Sequence, residues 1–433
     1  MKTRVDVFGK NPRAVFITYL KVMLFAIILI GGSYPFVVDY TIAKFELLFI
    51  VLFFSYRLLN QTANTPPPNL LTLSMFDKTS LLALVLLIAT TTALNNDINN
   101  TPLKNVVVTY NLLFTTVHLC FIYCLLKVFL SLKIQLTDFI YWLPITIMLL
   151  ALSYVFMHTT GIPSILYGKP SSVPFSSNIR YLGYLVTASS MLCIIMFLQQ
   201  EIERFKLSLW ALLFVSNLAL LIWLGGRGSL VALAASAFIY LSYFVVTAQL
   251  KVSRLIILIL LIIIAFYLAY FCTVFSWNGP LSFFRSVNSD TALASIDINK
   301  LSSNRIAIWT QTLAAISDNP WIGLGPEGYR FHPDHVFGLQ PHNVLLQLLV
   351  GYGLFATLIM LYFYSKTVFI AIMQLFNRNN GTLLDGKIAL MIIISLSIHG
   401  LVDGTFYHSQ PLFLLIIAFV SIMTIHHSTV RSV

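Results

Sequence analysis

Charge is what this chain has least of. Of its 433 residues only 9% are charged, against 58% hydrophobic and a mean hydropathy of +0.87. Soluble domains carry about 25% charged residues, because surface that faces water must be polar. The 26 Lys and Arg with 15 Asp and Glu are too few to coat a soluble body of this length. A soluble globular enzyme is therefore excluded, and the apolar content excludes a disordered protein. What remains is an all-α polytopic membrane protein, whose apolar surface is covered by lipid.

Cysteine is also scarce. Cys120, Cys124, Cys193 and Cys272 all fall inside apolar runs, and no His or acid stands beside Cys120 and Cys124 at their i, i+4 spacing. They read as inert, lipid-buried thiols rather than a metal site. The chain has no HExxH motif, no Gly-rich cassette, no heptad and no short repeat.

Long hydrophobic runs, by contrast, are abundant. A spanning helix needs about 20 mostly apolar residues. Candidate spans lie near 14–33, 36–57, 79–94, 105–130, 137–158, 179–198, 206–224, 228–248, 254–275, 343–364, 387–404 and 411–430, about twelve in all. The first run extends too far for a signal-peptide core and is read as a retained helix. Most connections are short, but a long one at 276–342 separates the ninth and tenth spans. A loop of that length in a compact protein is usually functional. The chain thus divides into 1–275 (spans one to nine), 276–342 (the loop, with short helices) and 343–433 (spans ten to twelve).

The net charge of +11 would point to nucleic acid in a soluble protein. Here the positive-inside rule accounts for most of it. With the N-terminus inside, sixteen Lys and Arg fall on inner segments and eight on outer ones. Four of those eight lie in the long loop, which the rule does not count. Both termini are therefore expected inside, the long loop outside, and no nucleic-acid partner is needed. Lys21 and Lys44 with Asp39 and Glu46 lie inside the first two spans. They read as structural ion pairs or snorkelling side chains, with function as the alternative.

The outer arginines are not explained by insertion. Arg180 begins the sixth span, Arg227 sits in the turn Gly225-Gly226-Arg227-Gly228-Ser229, and Arg285 and Arg305 lie in the long loop. One such arginine would merely snorkel to lipid phosphates. Several at one interface suit a lipid diphosphate, because guanidinium groups grip phosphate oxygens bidentately and keep their charge. Residues 303–316 read as an amphipathic helix, stopped by Asn319-Pro320-Trp321-Ile322-Gly323-Leu324-Gly325. His332 and His335 with Asp334 are a poor metal set. His342 precedes the tenth span in Pro341-His342-Asn343. It is either a general base or a capping histidine. Asp403, with His399 and His408 around it, would orient a base, bind an acceptor sugar, or make a plain interhelical hydrogen bond.

The Gly-rich turn with Arg227, the run Arg305…Trp309…Asn319-Pro320-Trp321-Ile322-Gly323-Leu324-Gly325, and then His342-Asn343…Leu348…Gly351…Gly353 resemble the O-antigen ligase and polymerase superfamily. The resemblance is sharp over 223–355. It implies a GT-C-like, inverting, metal-independent glycosyltransferase in the bacterial inner membrane. Such an enzyme takes a glycan from undecaprenyl diphosphate at the periplasmic face, so the long loop would be periplasmic. On that resemblance His342 is the base that deprotonates the acceptor hydroxyl, and Arg227 and Arg305 bind the diphosphate. Arg180 joins them on a looser match. Asn343, Asp403 and Arg285 are supporting or acceptor-side candidates, and Arg285 has no motif behind it.

Fixed guanidinium charge in place of Mg²⁺ is consistent with the lack of a DxD-like acidic pair on the outer face. No cofactor and no metal is expected. Trp277, Trp309, Trp321, Tyr329 and Phe331 suit sugar stacking or an interfacial aromatic belt equally. Among superfamily activities, a ligase acting on lipid A-core leads, ahead of a polysaccharide polymerase and a protein O-oligosaccharyltransferase. The chain ends a few residues after the twelfth span, without the C-terminal region many protein-glycosylating relatives carry, which weighs against the last. A lipid-linked glycan transporter is the rival from another class. It would place polar groups at the bilayer midplane, where this chain has few.

Overall fold

The structure, a computed structural model, describes residues 11–29, 35–60, 75–96, 102–160, 179–199, 203–247, 251–271, 305–326, 328–332, 335, 340–376, 383–406 and 408–432. Among them all regular structure is helical. The helices are α1 (Pro12–Leu29), α2 (Pro35–Asn60), α3 (Met75–Asn96), α4 (Pro102–Leu132), α5 (Trp142–Thr159), α6 (Ile179–Leu198) and α7 (Arg204–Leu224). They continue as α8 (Arg227–Val246), α9 (Val252–Phe271), α10 (Arg305–Asp318), α11 (Val344–Phe376), α12 (Leu383–Gly400) and α13 (Ser409–Ser432). Each expected span overlaps a helix, and among the described residues ten candidate spans are long and apolar enough to cross a membrane. Helix α2, which carries Asp39, Lys44, Glu46 and Arg57, and helix α3 are not among these ten. The chain is a multi-pass helical membrane protein.

Helix α6 sits at the centre, almost wholly buried, and packs on α7, α8 and α12. Its run of Thr187, Ala188, Ser189 and Ser190 lets neighbouring backbones approach, as small residues do between helices in lipid. Ser189 Oγ donates to Asn217 Oδ1 at 2.6 Å, and Asn217 Nδ2 donates to the carbonyls of Leu213 (2.7 Å) and Pro144 (3.2 Å). One buried amide thus ties α6 and α7 to α5. Helix α9, Ile- and Leu-rich on every side, is mostly exposed, as a lipid-facing helix should be.

The intramembrane charges pair differently from expectation. Glu46 is buried with its carboxylate 2.5 Å from His118 Nδ1 of α4, because α2 packs against α4 on that face. Lys44 is exposed, and the side chain of Asp39 lies outside the described residues. Elsewhere Lys366 Nζ reaches both oxygens of buried Asp77 at 2.6 Å, and Tyr362 OH donates to the same carboxylate at 2.9 Å. That contact fastens α3 to α11. Of the cysteines, Cys120, Cys124 and Cys193 are free thiols, and Cys272 lies outside the described residues.

Helix α11 is longer than the expected 343–364 and is broken at Gly353 (φ 69°, ψ −178°). Pro320–Gly325 fills the break. Leu324 and Gly325 N–H donate to the Val350 and Gly351 carbonyls, each at 2.8 Å, and Leu354 N–H donates to the Pro320 carbonyl at 2.8 Å. Thr91 of α3 donates to the Ile322 carbonyl at 3.0 Å. The groups a straight helix would have paired internally are therefore satisfied by the loop, as backbone next to lipid requires. A Cβ on Gly353 would lie 2.3 Å from the Trp321 carbonyl oxygen, and one on Gly323 would lie 2.5 Å from the Gly353 nitrogen. Only glycine fits at either place.

Candidate active site

At one end of the bundle, three helices begin with an arginine. Arg227 is the first residue of α8, Arg305 the first of α10, and Arg180 the second of α6. A fourth helix, α11, begins two residues after His342. The turn that starts α8 is built from glycine. Gly225 ends α7 in the left-handed region (φ 65°), its N–H donating to the Ile222 carbonyl at 3.0 Å, and Gly226 precedes Arg227. Gly228 then lets α8 press on α12, since a Cβ there would meet Val402 at 3.1 Å and His399 at 3.4 Å. Ser229 Oγ lies 3.4 Å from His399 Nε2. The first turn of α8 is thereby fixed against the turn that carries Asp403.

Arg305 is half-buried. Burial pushes its pKa down, Asp403 supports the charge, and Arg180 and Arg227 oppose it. A guanidinium keeps its proton under such pressure, so Arg305 stays charged within electrostatic reach of two further cations, Arg180 and Arg227. Each also sits at the positive end of a helix dipole, where a cation is disfavoured by ~0.3–1 kcal/mol. A local rule broken three times in one place marks a site rather than a scaffold. An anion bound there would relieve both the mutual repulsion and the dipole penalty.

His342 is one of two described non-glycine residues with positive φ, at 50°. Such a backbone costs ~1–3 kcal/mol and persists only when its surroundings fix it. Both flanks are fixed. The Trp309 indole N–H donates to the Pro341 carbonyl at 2.7 Å. Asn343 caps α11, its Oδ1 accepting from the N–H of Leu345 (3.0 Å) and Leu346 (3.1 Å), while its Nδ2 donates to the Leu401 carbonyl at 3.0 Å.

The ring is held as well. His342 Nδ1 lies 3.0 Å from Asp403 Oδ1, which also accepts from Gly404 N–H at 2.9 Å. Arg180 donates to His342 Nε2 at 3.3 Å. Asp403 is buried, which alone would raise its pKa. The His342 hydrogen bond and the charge of Arg180 hold it well below the usual carboxylate range. These partners decide the tautomer: an ionised carboxylate only accepts and a guanidinium only donates. Nδ1 therefore carries the proton, and Nε2 presents a lone pair.

The structure thus brings Arg180, Arg227, Arg305, His342, Asn343 and Asp403 to one place, while Arg285 lies outside the described residues. Sequence reasoning missed the aromatic shell behind them. His408 packs on Tyr181 (ring centroids 4.3 Å) and Tyr184 (5.8 Å), and Tyr184 packs on His399 (4.7 Å). The spacing of Arg180 and Tyr184 at i, i+4 was the available signal. Trp309, open between sugar stacking and a belt, acts here through its N–H. The loop histidines sit apart: His332 is 3.6 Å from Asp318, and His335 packs on Tyr329. Asp334 lies outside the described residues, and among those described no three His, Cys, Asp or Glu could hold a metal.

Residues 210–361 match the O-antigen ligase family. The matched stretch contains Arg227, Arg305, His342 and both glycine motifs of the helix break, and stops short of Arg180 and Asp403. None of the curated proteins compared matches the chain.

Proposed function

With residues 210–361 placed in the O-antigen ligase and polymerase superfamily, we propose that the protein is an inverting, ligase-type glycosyltransferase. It moves a glycan from undecaprenyl diphosphate to a hydroxyl of lipid A-core, at the periplasmic face of the bacterial inner membrane, with both termini cytoplasmic. The observation that carries this reading is the gathering of Arg180, Arg227 and Arg305 around the His342–Asp403 pair. It supplies a cationic cradle and a base whose Nε2 is unprotonated in one place.

The roles follow from the chemistry. The arginines, on three helix N-termini, hold the diphosphate. His342 Nε2 takes the proton of the acceptor hydroxyl while Nδ1–H stays on Asp403. The acceptor oxygen attacks the anomeric carbon, and the anomeric C–O bond breaks with its electron pair passing to the diphosphate. The products are the glycosylated acceptor and the lipid diphosphate, and the proton leaves His342 for solvent. General-base help contributes ~10²–10⁴-fold, and fixed charge at the leaving group ~10²–10³-fold per donor. Because arginines provide that charge, activity persists in EDTA. Full loss of activity, restored by a divalent ion, would overturn the metal-free mechanism.

Deletion of the gene followed by glycan analysis tests the assignment. A ligase leaves lipid A-core bare and long lipid-linked chains accumulating. Single repeat units on the core would mean a polymerase. Normal lipopolysaccharide beside an unglycosylated protein would mean an oligosaccharyltransferase.

A further inference from the structure

On the reading above, His342 Nε2 is the atom that must receive the acceptor's proton, yet its lone pair is taken. Arg180 donates to it, and since a guanidinium has no other way to bond to a ring nitrogen, the contact and the base function exclude each other. Nδ1 is committed to Asp403, so the ring has no second basic position to offer.

We infer that Arg180 caps the His342 base until a diphosphate draws it away, so that donor binds before acceptor. Arg180 has the properties of a movable cap. Its side chain is exposed, on the first turn of α6, whereas Asp403 beneath the ring is buried. Its bond to His342 is, at 3.3 Å, long. A phosphate offers the same guanidinium two short, charge-assisted bonds. Arg305 repels Arg180 where it stands, and a dianion arriving between them reverses that repulsion into attraction. When Arg180 turns to the diphosphate, His342 stays fixed by Asp403, Trp309 and Asn343. Nε2 opens in place, with its lone pair facing the side from which the cap has left. One residue thereby both binds the donor and licenses the base, and no acceptor or water can be deprotonated at His342 in the empty enzyme.

The test is chemical labelling of His342 in the full-length protein in detergent. Diethylpyrocarbonate acylates an imidazole through its unprotonated nitrogen, and the labelled peptide is quantified by mass spectrometry. Farnesyl diphosphate serves as a sugar-free lipid diphosphate, with its binding read separately as a shift in thermal unfolding. The expected result is slow labelling of the wild type, accelerated several-fold by Arg180→Ala and by farnesyl diphosphate. The ligand should add nothing in the variant, and Arg180→Lys should fall between. Equal labelling of wild type and a folded Arg180→Ala would overturn the cap. Should that variant not fold, the wild type with and without ligand decides. Farnesyl diphosphate that binds yet leaves labelling unchanged or slower overturns the gate alone. Failure to bind at all overturns the diphosphate reading and the gate with it.

Discussion

The indole N–H of Trp309 donates to the Pro341 carbonyl across 2.7 Å, so the helix that begins with Arg305 is tied to the residue just before His342. Arg305 and His342 cannot drift apart without breaking that bond. Trp309→Phe keeps an aromatic ring and removes the donor. Transfer should fall about fivefold, the equivalent of one net hydrogen bond of ~1 kcal/mol. A wild-type rate in the Phe variant would show that the tie has no bearing on catalysis.

Asp403 does two things for His342: it fixes the ring, and it selects the Nδ1–H tautomer. Asp403→Asn keeps the shape but can present an N–H to Nδ1, which favours the wrong tautomer. The variant should insert and fold, and lose ~10²–10⁴-fold in transfer rate, the range of general-base assistance. Comparable rates for Asn and wild type would mean that His342 is not the base.

How much of this was legible beforehand depends on what kind of interaction holds each part. The helices follow from apolar length alone, and each of the twelve expected runs overlaps a helix among the described residues. The arginines stood out because nothing in membrane insertion required them. The bond between Trp309 and Pro341 was not legible, because tryptophan in a loop at a membrane face has too many uses. The pairing of Glu46 with His118 was missed because it depends on which face of α2 meets α4, and runs of Leu and Phe on every side of both helices hide that face. Likewise, Gly323 and Gly353 marked themselves as glycines. Nothing local said that each is there for the other.

That mutual fit is testable. Gly353 has φ 69°, and its Cβ would fall 2.3 Å from the Trp321 carbonyl oxygen and 2.5 Å from the Ile322 carbonyl carbon. These neighbours are backbone and cannot rotate away. Gly353→Ala should cost ~3 kcal/mol or more from strain and overpacking together. Gly351→Ala, whose Cβ would find its nearest neighbour at 3.8 Å, should be mild by comparison. Thermal unfolding of the two purified variants measures the contrast. Equal melting temperatures would contradict the inserted-loop arrangement.

Three arginines on helix N-termini should destabilise the empty protein while serving its chemistry. Arg305→Met removes the charge, keeps an unbranched apolar stem and relieves the repulsion from Arg180 and Arg227. The melting temperature of the ligand-free variant should hold or rise, while transfer drops by ~10²–10³-fold, the cost of removing one fixed donor at a developing anion. A variant that is both less stable and fully active would place Arg305 in the scaffold instead.

His408 gives the fold a dependence on pH. Burial among Tyr181 and Tyr184 pushes its pKa down to about 4, with Asp403 pulling the other way and His342 and Arg180 adding to the fall. In the unfolded chain the same imidazole titrates near ~6.5. Between those values the unfolded state binds the proton and the folded state does not, so stability decreases as pH falls through this window. Above it the neutral form is common to both states and His408 contributes no slope. His408→Gln should therefore lose less stability than wild type between about pH 6.5 and 4, with the two curves parallel at pH 7 and above. Melting curves across that range decide it, since parallel curves throughout would show that His408 takes up its proton as readily in the folded protein as in the unfolded chain.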